Sequence, residues 1–147
     1  MKRGQISLDF LFAVTLIALT MVNLVYIANS ERSHAETFDT ATKIKIFSVD
    51  VRDSVAKVYA VGDGFKVRKN APFKLYEGDY INVTLSPTGN LINVTAVVSG
   101  EIYQVTQKSP IPIWRKSSVK LTPSDPEFYI TAEYNRTEGR LYVQVSP

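Results

Sequence analysis

A single histidine, His34, and no cysteine set the limits of the chemistry open to this chain. Thiolate nucleophiles, thiolate metal sites, disulfides and a lipid anchor on cysteine are excluded. A Ser–His–Asp triad or a multi-histidine metal site would rest on His34 alone. That residue falls in a polar stretch, where a solvated helix position is its expected role. Asp50, Asp53 and Asp63 lack the close oxygen-ligand spacing of a calcium loop. No glycine-rich phosphate loop is present. The chain therefore reads as a non-enzyme with no cofactor and no metal site.

The chemistry that does fit is covalent modification and surface contact. Three N-x-[ST] sequons occur, Asn82-Val83-Thr84, Asn93-Val94-Thr95 and Asn135-Arg136-Thr137, where chance would give about one. All three asparagines fall on strand positions expected to face solvent. They are candidate N-glycosylation sites if the domain is external; the plainer reading is a strand face rich in Thr and Asn. Tyr76, Tyr80, Tyr103, Tyr129, Tyr134 and Tyr142 follow the ordinary strand preference of tyrosine, with an adhesive or sugar-binding aromatic surface as the alternative. Trp114 follows Pro110-Ile111-Pro112 and reads as a core plug beneath a loop.

The remaining residue of note is Asp9. It stands at the edge of a run, Phe10 to Ser30, that holds no charged residue. An unpaired carboxylate beside such a segment is costly in an apolar bundle. The run spans about 30 Å as a helix, the thickness of a bilayer's hydrocarbon core. Setting aside Lys2 and Arg3, which precede it, takes the formal net charge from +3 to +1. The remaining charges are interleaved, so nucleic-acid binding has no electrostatic support.

Helical periodicity continues past the apolar run. Ala35, Phe38, Ala41, Ile44, Phe47, Val51, Val55 and Val58 recur at steps of three or four, with balanced charges between them and no Gly or Pro. Ile46 and Val49 lie off this stripe and hint at a second buried face. The pattern predicts one helix from about Gln5 to Tyr59, roughly 80 Å long at ~1.5 Å per residue, ended by Asp63-Gly64. Alternation then takes over. Strands are expected around Phe65 and Val67, Phe73 and Leu75, Ile81 to Leu85, Ile92 to Ala96, Glu101 to Gln107, Val119 and Leu121, Phe128 to Ala132, and Leu141 to Val145. Gly- and Pro-containing turns separate them. The expected fold is α+β, a long N-terminal helix with an apolar first half and an amphipathic second half, followed by an antiparallel sheet or sandwich. One apolar face per strand predicts packing on the second half of the helix or on a second sheet. The expected division is residues 1–4 ahead of the helix, a leader if the chain is cut there, 5–60 the helix and 61–147 a β-rich head.

Three readings compete for the N-terminus. A cleavable secretory signal would be cut at Ser33-His34-Ala35, but its apolar core is longer than the usual ~7–15 residues. A static membrane anchor leaves Asp9 without a role. A leader cut before the apolar run, at Gly4, retains the helix and frees an amine that Asp9 of a neighbouring chain can pair with. Gly4 suits a peptidase that needs an extended, unhindered backbone at the scissile bond.

Lys2-Arg3-Gly4-Gln5-Ile6-Ser7-Leu8-Asp9-Phe10 resembles the class III, prepilin-type signal peptide of archaeal type IV pilin-like proteins, with Gly, Gln, Ser and the acid–aromatic pair in order. The family often has Glu where this chain has Asp9. The resemblance covers about the first thirty residues by motif and the rest by layout only. It implies cutting between Gly4 and Gln5 by a prepilin peptidase, and assembly through Asp9, Phe10 and the apolar helix. The product would be a homopolymer with other pilin subunits, built by pilus assembly machinery. The membrane houses the precursor, and the mature subunit belongs to a cell-surface filament used for adhesion. Archaellins share the layout, but the Gly-rich start of their mature helix is missing. The alternatives are a minor or tip pilin or sugar-binding surface protein delivered by the same leader, and an anchored extracytoplasmic enzyme, for which no catalytic constellation exists.

Overall fold

A computed structural model describes the backbone from Lys2 to Pro147 and the side chains from Leu8 onward. Gly4 and Gln5, the expected cleavage pair, lie outside the residues with described side chains. A single helix, α1, runs Lys2–Val61. It outlasts the expected end at Tyr59 and stops at Gly62, the first of two glycines with positive φ, ahead of Gly64 at φ 78°. Gly62 has φ +103° and donates its N–H to Val58 O at 3.1 Å, a turn that a residue with a Cβ enters only with strain.

The chain divides into two compact units, residues up to Thr40 and Ala41–Pro147. In the first, the apolar side chains of α1 are exposed, Phe10 at 71% and Tyr26 at 75% among them. The backbone satisfies itself, and the Thr15 and Thr20 hydroxyls donate to Leu11 O and Leu16 O, each at 2.8 Å. These threonines hydrogen-bond their own helix. The segment is long and apolar enough to span or anchor in a membrane.

The second unit holds the last turns of α1 and seven strands. They are β1 (Lys66–Asn70), β2 (Tyr80–Ser86), β3 (Leu91–Val98), β4 (Glu101–Lys108), β5 (Ser117–Leu121), β6 (Glu127–Asn135) and β7 (Arg140–Ser146). All pairings are antiparallel, in two sheets ordered β1-β6-β7 and β4-β3-β2-β5. Adjacent strands pair in sequence only along β2-β3-β4 and β6-β7. Instead of a simple meander, β5 returns to β2 and β6 inserts between β1 and β7. The edges of the two sheets meet at β5 and β7, where Val145 N–H donates to Ser117 Oγ at 3.0 Å.

Both sheets turn one face to a shared core. Ile81, Val83 and Leu85 of β2, Ile92, Val94 and Ala96 of β3, and Phe128, Ile130 and Ala132 of β6 are buried, as their alternation predicts. Ile44, Phe47, Val51, Val55 and Val58 of α1 join the same cluster. Phe47 packs edge-on against Phe128 at 6.1 Å between ring centroids. Ser48 Oγ accepts a hydrogen bond from Gln107 Nε2 of β4 at 3.2 Å, and both carboxylate oxygens of Asp50 accept from Lys69 Nζ of β1 at 2.8 Å. The helical stripe is thus buried only from Ile44 onward; Ala35 and Phe38 are exposed. No second buried face exists at Ile46, which is 64% exposed.

The stretch around Phe73 and Leu75 is not a strand. Leu75 is buried and Phe73 packs on the core, but a turn captures the backbone. Asp79 Oδ2 accepts from Tyr76 N–H at 3.0 Å, and Asp79 N–H donates to Tyr76 O at 3.0 Å. Asp79 Oδ1 also accepts from Ser99 N–H at 2.8 Å, bracing the Ser99-Gly100 turn between β3 and β4. Ser99 and Gly100 both have positive φ, 52° and 82°, as a two-residue hairpin turn of matching twist requires. Asp79 is buried, so its loss strands two N–H donors. Asp79→Ala is expected to lower head stability by about 1–3 kcal/mol, measured by denaturant unfolding of the full chain in detergent. Asp79→Asn, which keeps an acceptor oxygen, is expected to lose less.

Candidate functional site

Three regions carry the residues singled out from sequence. The first is the start of α1. Asp9 and Phe10 are both exposed, on the same helical segment as the apolar run. Their exposure leaves the carboxylate and the ring available to a neighbour.

The second region is the outer face of the four-stranded sheet. Register sets Asn82 opposite Thr95 and Thr84 opposite Asn93, so the two sequons face each other across β2 and β3. Lys120 and Ser118 of β5 extend these rows on one side; Gln104 and Thr106 of β4 extend them on the other. Asn82 and Asn93 are half-buried on the solvent side of central strands. Their backbones are held in ladders on both edges, which removes the freedom an acceptor loop has. Asn135 is different. It closes β6, and its Oδ1 accepts from Thr137 N–H at 3.0 Å and Glu138 N–H at 3.4 Å, shaping the turn into β7. Its sequon lies on an exposed hairpin tip.

The third region gathers Trp114, Tyr134, Asn135 and Tyr142, residues singled out from sequence, into a cavity that the sequence did not predict. A cavity of about 560 Å³ is lined by Trp114, Arg115, Glu133, Tyr134, Asn135, Arg136, Glu138, Tyr142 and Gln144. The loop between β4 and β5 supplies its aromatic wall. Asn90, at φ 53°, anchors that loop: its carbonyl accepts from Ser109 N–H at 2.7 Å and its Oδ1 from Ile113 N–H at 3.0 Å. Ile113, 3% exposed, is the plug expected of Trp114. Neighbouring side chains on extended backbone point to opposite sides, and the inward place is taken. Trp114 is consequently 43% exposed, with the Arg140 guanidinium 4.3 Å from its ring centroid.

The other walls come from β6, β7 and their hairpin. Register pairs Glu133 with Tyr142. Gln144 Nε2 donates to Glu133 Oε2 at 3.1 Å. The Tyr142 hydroxyl donates to Glu138, whose carboxylate holds the phenol's pKa above its ordinary value of 10.0. Tyr134 is 46% exposed and its backbone N–H is fixed by Asp63 Oδ1 at 2.7 Å. A signal that could have pointed here is the density of aromatic and charged residues between Glu133 and Gln144. Linear sequence could not show that the Trp114 loop folds over them.

Comparison with known proteins returned no match: no family model, no curated protein and no solved structure is significantly similar to the chain.

The Tyr142–Glu138 bond has a pH signature. Because the folded phenol binds its proton more tightly than the unfolded one, its contribution to stability is present below the unfolded pKa of about 10 and disappears as pH rises through the raised folded value. Tyr142→Phe is expected to show a shallower loss of stability above pH 10 than the wild type, read from denaturant midpoints across that range. Identical slopes would mean the phenol titrates alike in both states.

Proposed function

We propose that this chain is the structural subunit of an archaeal type IV pilus-like surface filament, exported with a class III leader and polymerised through its apolar helix. The observation that carries the reading is the continuity of α1. The element whose later residues, Ile44 to Val58, form part of the head's core begins with a segment whose apolar side chains from Leu8 to Ile27 are exposed. The two ends of one helix ask for different partners. The later part has its partner within the head. The earlier part needs lipid or other apolar helices.

Assembly logic follows from that division. Before cleavage, Lys2 and Arg3 hold the N-terminus on the cytoplasmic side, and the head lies outside. Cutting between Gly4 and Gln5 removes these charges and exposes an amine. In a filament, contacts that relate one subunit to the next without closing give a helical fibre. The Asp9 carboxylate, set among apolar helices, is then neutralised by the amine of a neighbour. Cyclisation of Gln5 to pyroglutamate would delete that amine. The three sequons fit an external head, and the geometry ranks them: Asn135 on its exposed turn ahead of Asn82 and Asn93 in their ladders.

The mature N-terminus decides between the readings. Mass spectrometry of the protein from its native cell envelope is expected to find Gln5 or its pyroglutamate. Glu36 would mean an ordinary secreted protein, and Met1 a static anchor. Where the amine is free, Asp9→Asn is expected to reduce filament yield in sheared preparations; wild-type yield would exclude the pairing. Glycopeptide mass analysis of the same material is expected to place any hexose on Asn135 before Asn82 or Asn93, and unmodified peptides at all three would exclude glycosylation.

A further inference from the structure

The cavity beside Trp114 combines features that a filament subunit's packing does not require. Burying the indole would be favourable, yet the loop spends Ile113 on the core and leaves Trp114 43% exposed. Tyr134, 46% exposed, and Tyr142 add aromatic surface to the same hollow. Around these rings stand flat polar groups, two guanidinia (Arg115 and Arg136), two carboxylates (Glu133 and Glu138) and two amides (Asn135 and Gln144). The side-chain charges on the lining cancel.

Each class of ligand makes a different demand on such a site. An apolar ligand wants a largely apolar lining, and this one is mostly polar. A phosphate or sulfate ligand wants unopposed cations, and here two carboxylates share the wall with the two arginines. A neutral sugar ring offers a flat C–H face for an aromatic ring and adjacent hydroxyls that both donate and accept. Carboxylates accept from such hydroxyl pairs, guanidinia donate to them, and amides do both. The volume, about 560 Å³, lies within the usual range for small-ligand sites and has room for one or two sugar rings.

The site is also built in advance. Tyr142 holds Glu138, and Gln144 holds Glu133. Arg140 lies over the Trp114 ring, and Asn135 fixes the turn that carries Arg136. Held side chains lose less freedom when a ligand arrives. Arg140 lies over the indole without lining the cavity, while Trp114 itself is 43% exposed and lines it.

We propose that this cavity is a binding site for neutral saccharide, with Trp114 as the stacking platform and Glu133, Glu138, Arg115 and Arg136 as the hydroxyl-reading groups. Such binding would be a property of the head whether or not α1 polymerises. It requires Asn135 to be unmodified in the molecules that bind, because a glycan there would fill the cavity.

Trp114 is the chain's one tryptophan, so its fluorescence reports on this site without interference. The test uses the full chain made in a host without N-glycosylation and held in a detergent with no sugar headgroup. Cellobiose, diacetylchitobiose and α-mannobiose are titrated to about 50 mM, above the millimolar affinity expected of an open polar site; glycerol controls for solvent effects. At least one disaccharide is expected to give a saturable change in Trp114 emission and to protect it from acrylamide quenching. Arg136→Gln, on the exposed hairpin tip, and Glu133→Gln are each expected to weaken that response about tenfold or more, with unchanged circular dichroism. Should Glu133→Gln fail to fold, Arg136→Gln decides. No saturable response to any of the three sugars would overturn the proposal, as would a response that survives Arg136→Gln at full affinity.

Discussion

Ile44, Phe47, Val51, Val55 and Val58 form the contact on which the head depends. Both sheets turn an apolar face to one shared core, and the later turns of α1 help to close it. Fully burying five such side chains is worth roughly 7.5–15 kcal/mol before any residual burial in the unfolded chain is subtracted, the size of a small domain's whole net stability. The sheets also supply what the stripe needs at its margins. Gln107 reaches Ser48, and Lys69 reaches Asp50. No buried side-chain nitrogen or oxygen among the described residues lacks a partner. A core this economical has one consequence for sequence: the helix cannot be interrupted where it meets the strands, and no Gly or Pro occurs between Gly4 and Gly62.

Strand order converts that core into a surface with two different faces. The return of β5 to β2 brings the end of the β4–β5 loop beside β7, where Ser117 ties the sheets together. This connection is what carries Trp114 to the β6–β7 hairpin. Asn90 contributes from a third place, since its positive φ turns both its carbonyl and its amide oxygen toward the loop. The cavity therefore depends on residues far apart in sequence: Asn90, Ile113, Ser117 and the stretch from Glu133 to Gln144. The four-stranded sheet, by contrast, carries Asn, Thr, Ser and Gln in the middle rows of its outer face, with Lys120 on β5 and an apolar row of Tyr80, Val97 and Ile102 at one end, because its register is unbroken through β2, β3 and β4.

These differences explain what could be read from the residues alone. Period-two alternation in Ile81-Val83-Leu85 and Phe128-Ile130-Ala132 follows from burial of one strand face, so those strands and their inner residues were legible. The helix stripe was legible for the same reason at a period of 3.6. Phe73 and Leu75 alternate like a strand and do meet the core, but the backbone pairs with Asp79 rather than with a neighbour. Alternation reports the direction of side chains, and direction alone does not determine ladder pairing. Trp114 failed by one position: Ile113 and Trp114 are both apolar, and only the Asn90 contact decides which points inward. Pairing of distant strands has no local signature, so neither sheet order nor the cavity could be derived from pattern.

The exposed half of α1 poses a separate thermodynamic problem. From Leu8 to Ile27 nearly every side chain is apolar and none is buried in the head. At about 1.5–3 kcal/mol each, exposing that set to water would cost several times the stability of the head. Inside a bilayer the cost vanishes, but so does the hydrophobic drive for helices to associate, since lipid tails cover them as well as a neighbour would. Close packing in lipid would then rest on small residues, and Phe10 to Ala28 offers only Ala13, Ala18 and Ala28 with the two threonines, and no glycine. Association is therefore weak while lipid is present and compulsory once it is gone. On the reading of α1 as membrane-spanning before assembly, a chain with this asymmetry would leave lipid only into the company of similar helices, and only with work supplied from outside. Asp9 adds the discriminating element. A carboxylate at the lipid boundary can remain near water; in a packed apolar core it must find a cation. Removing that carboxylate would therefore cost little at a lipid boundary and much in a packed apolar core where it is paired.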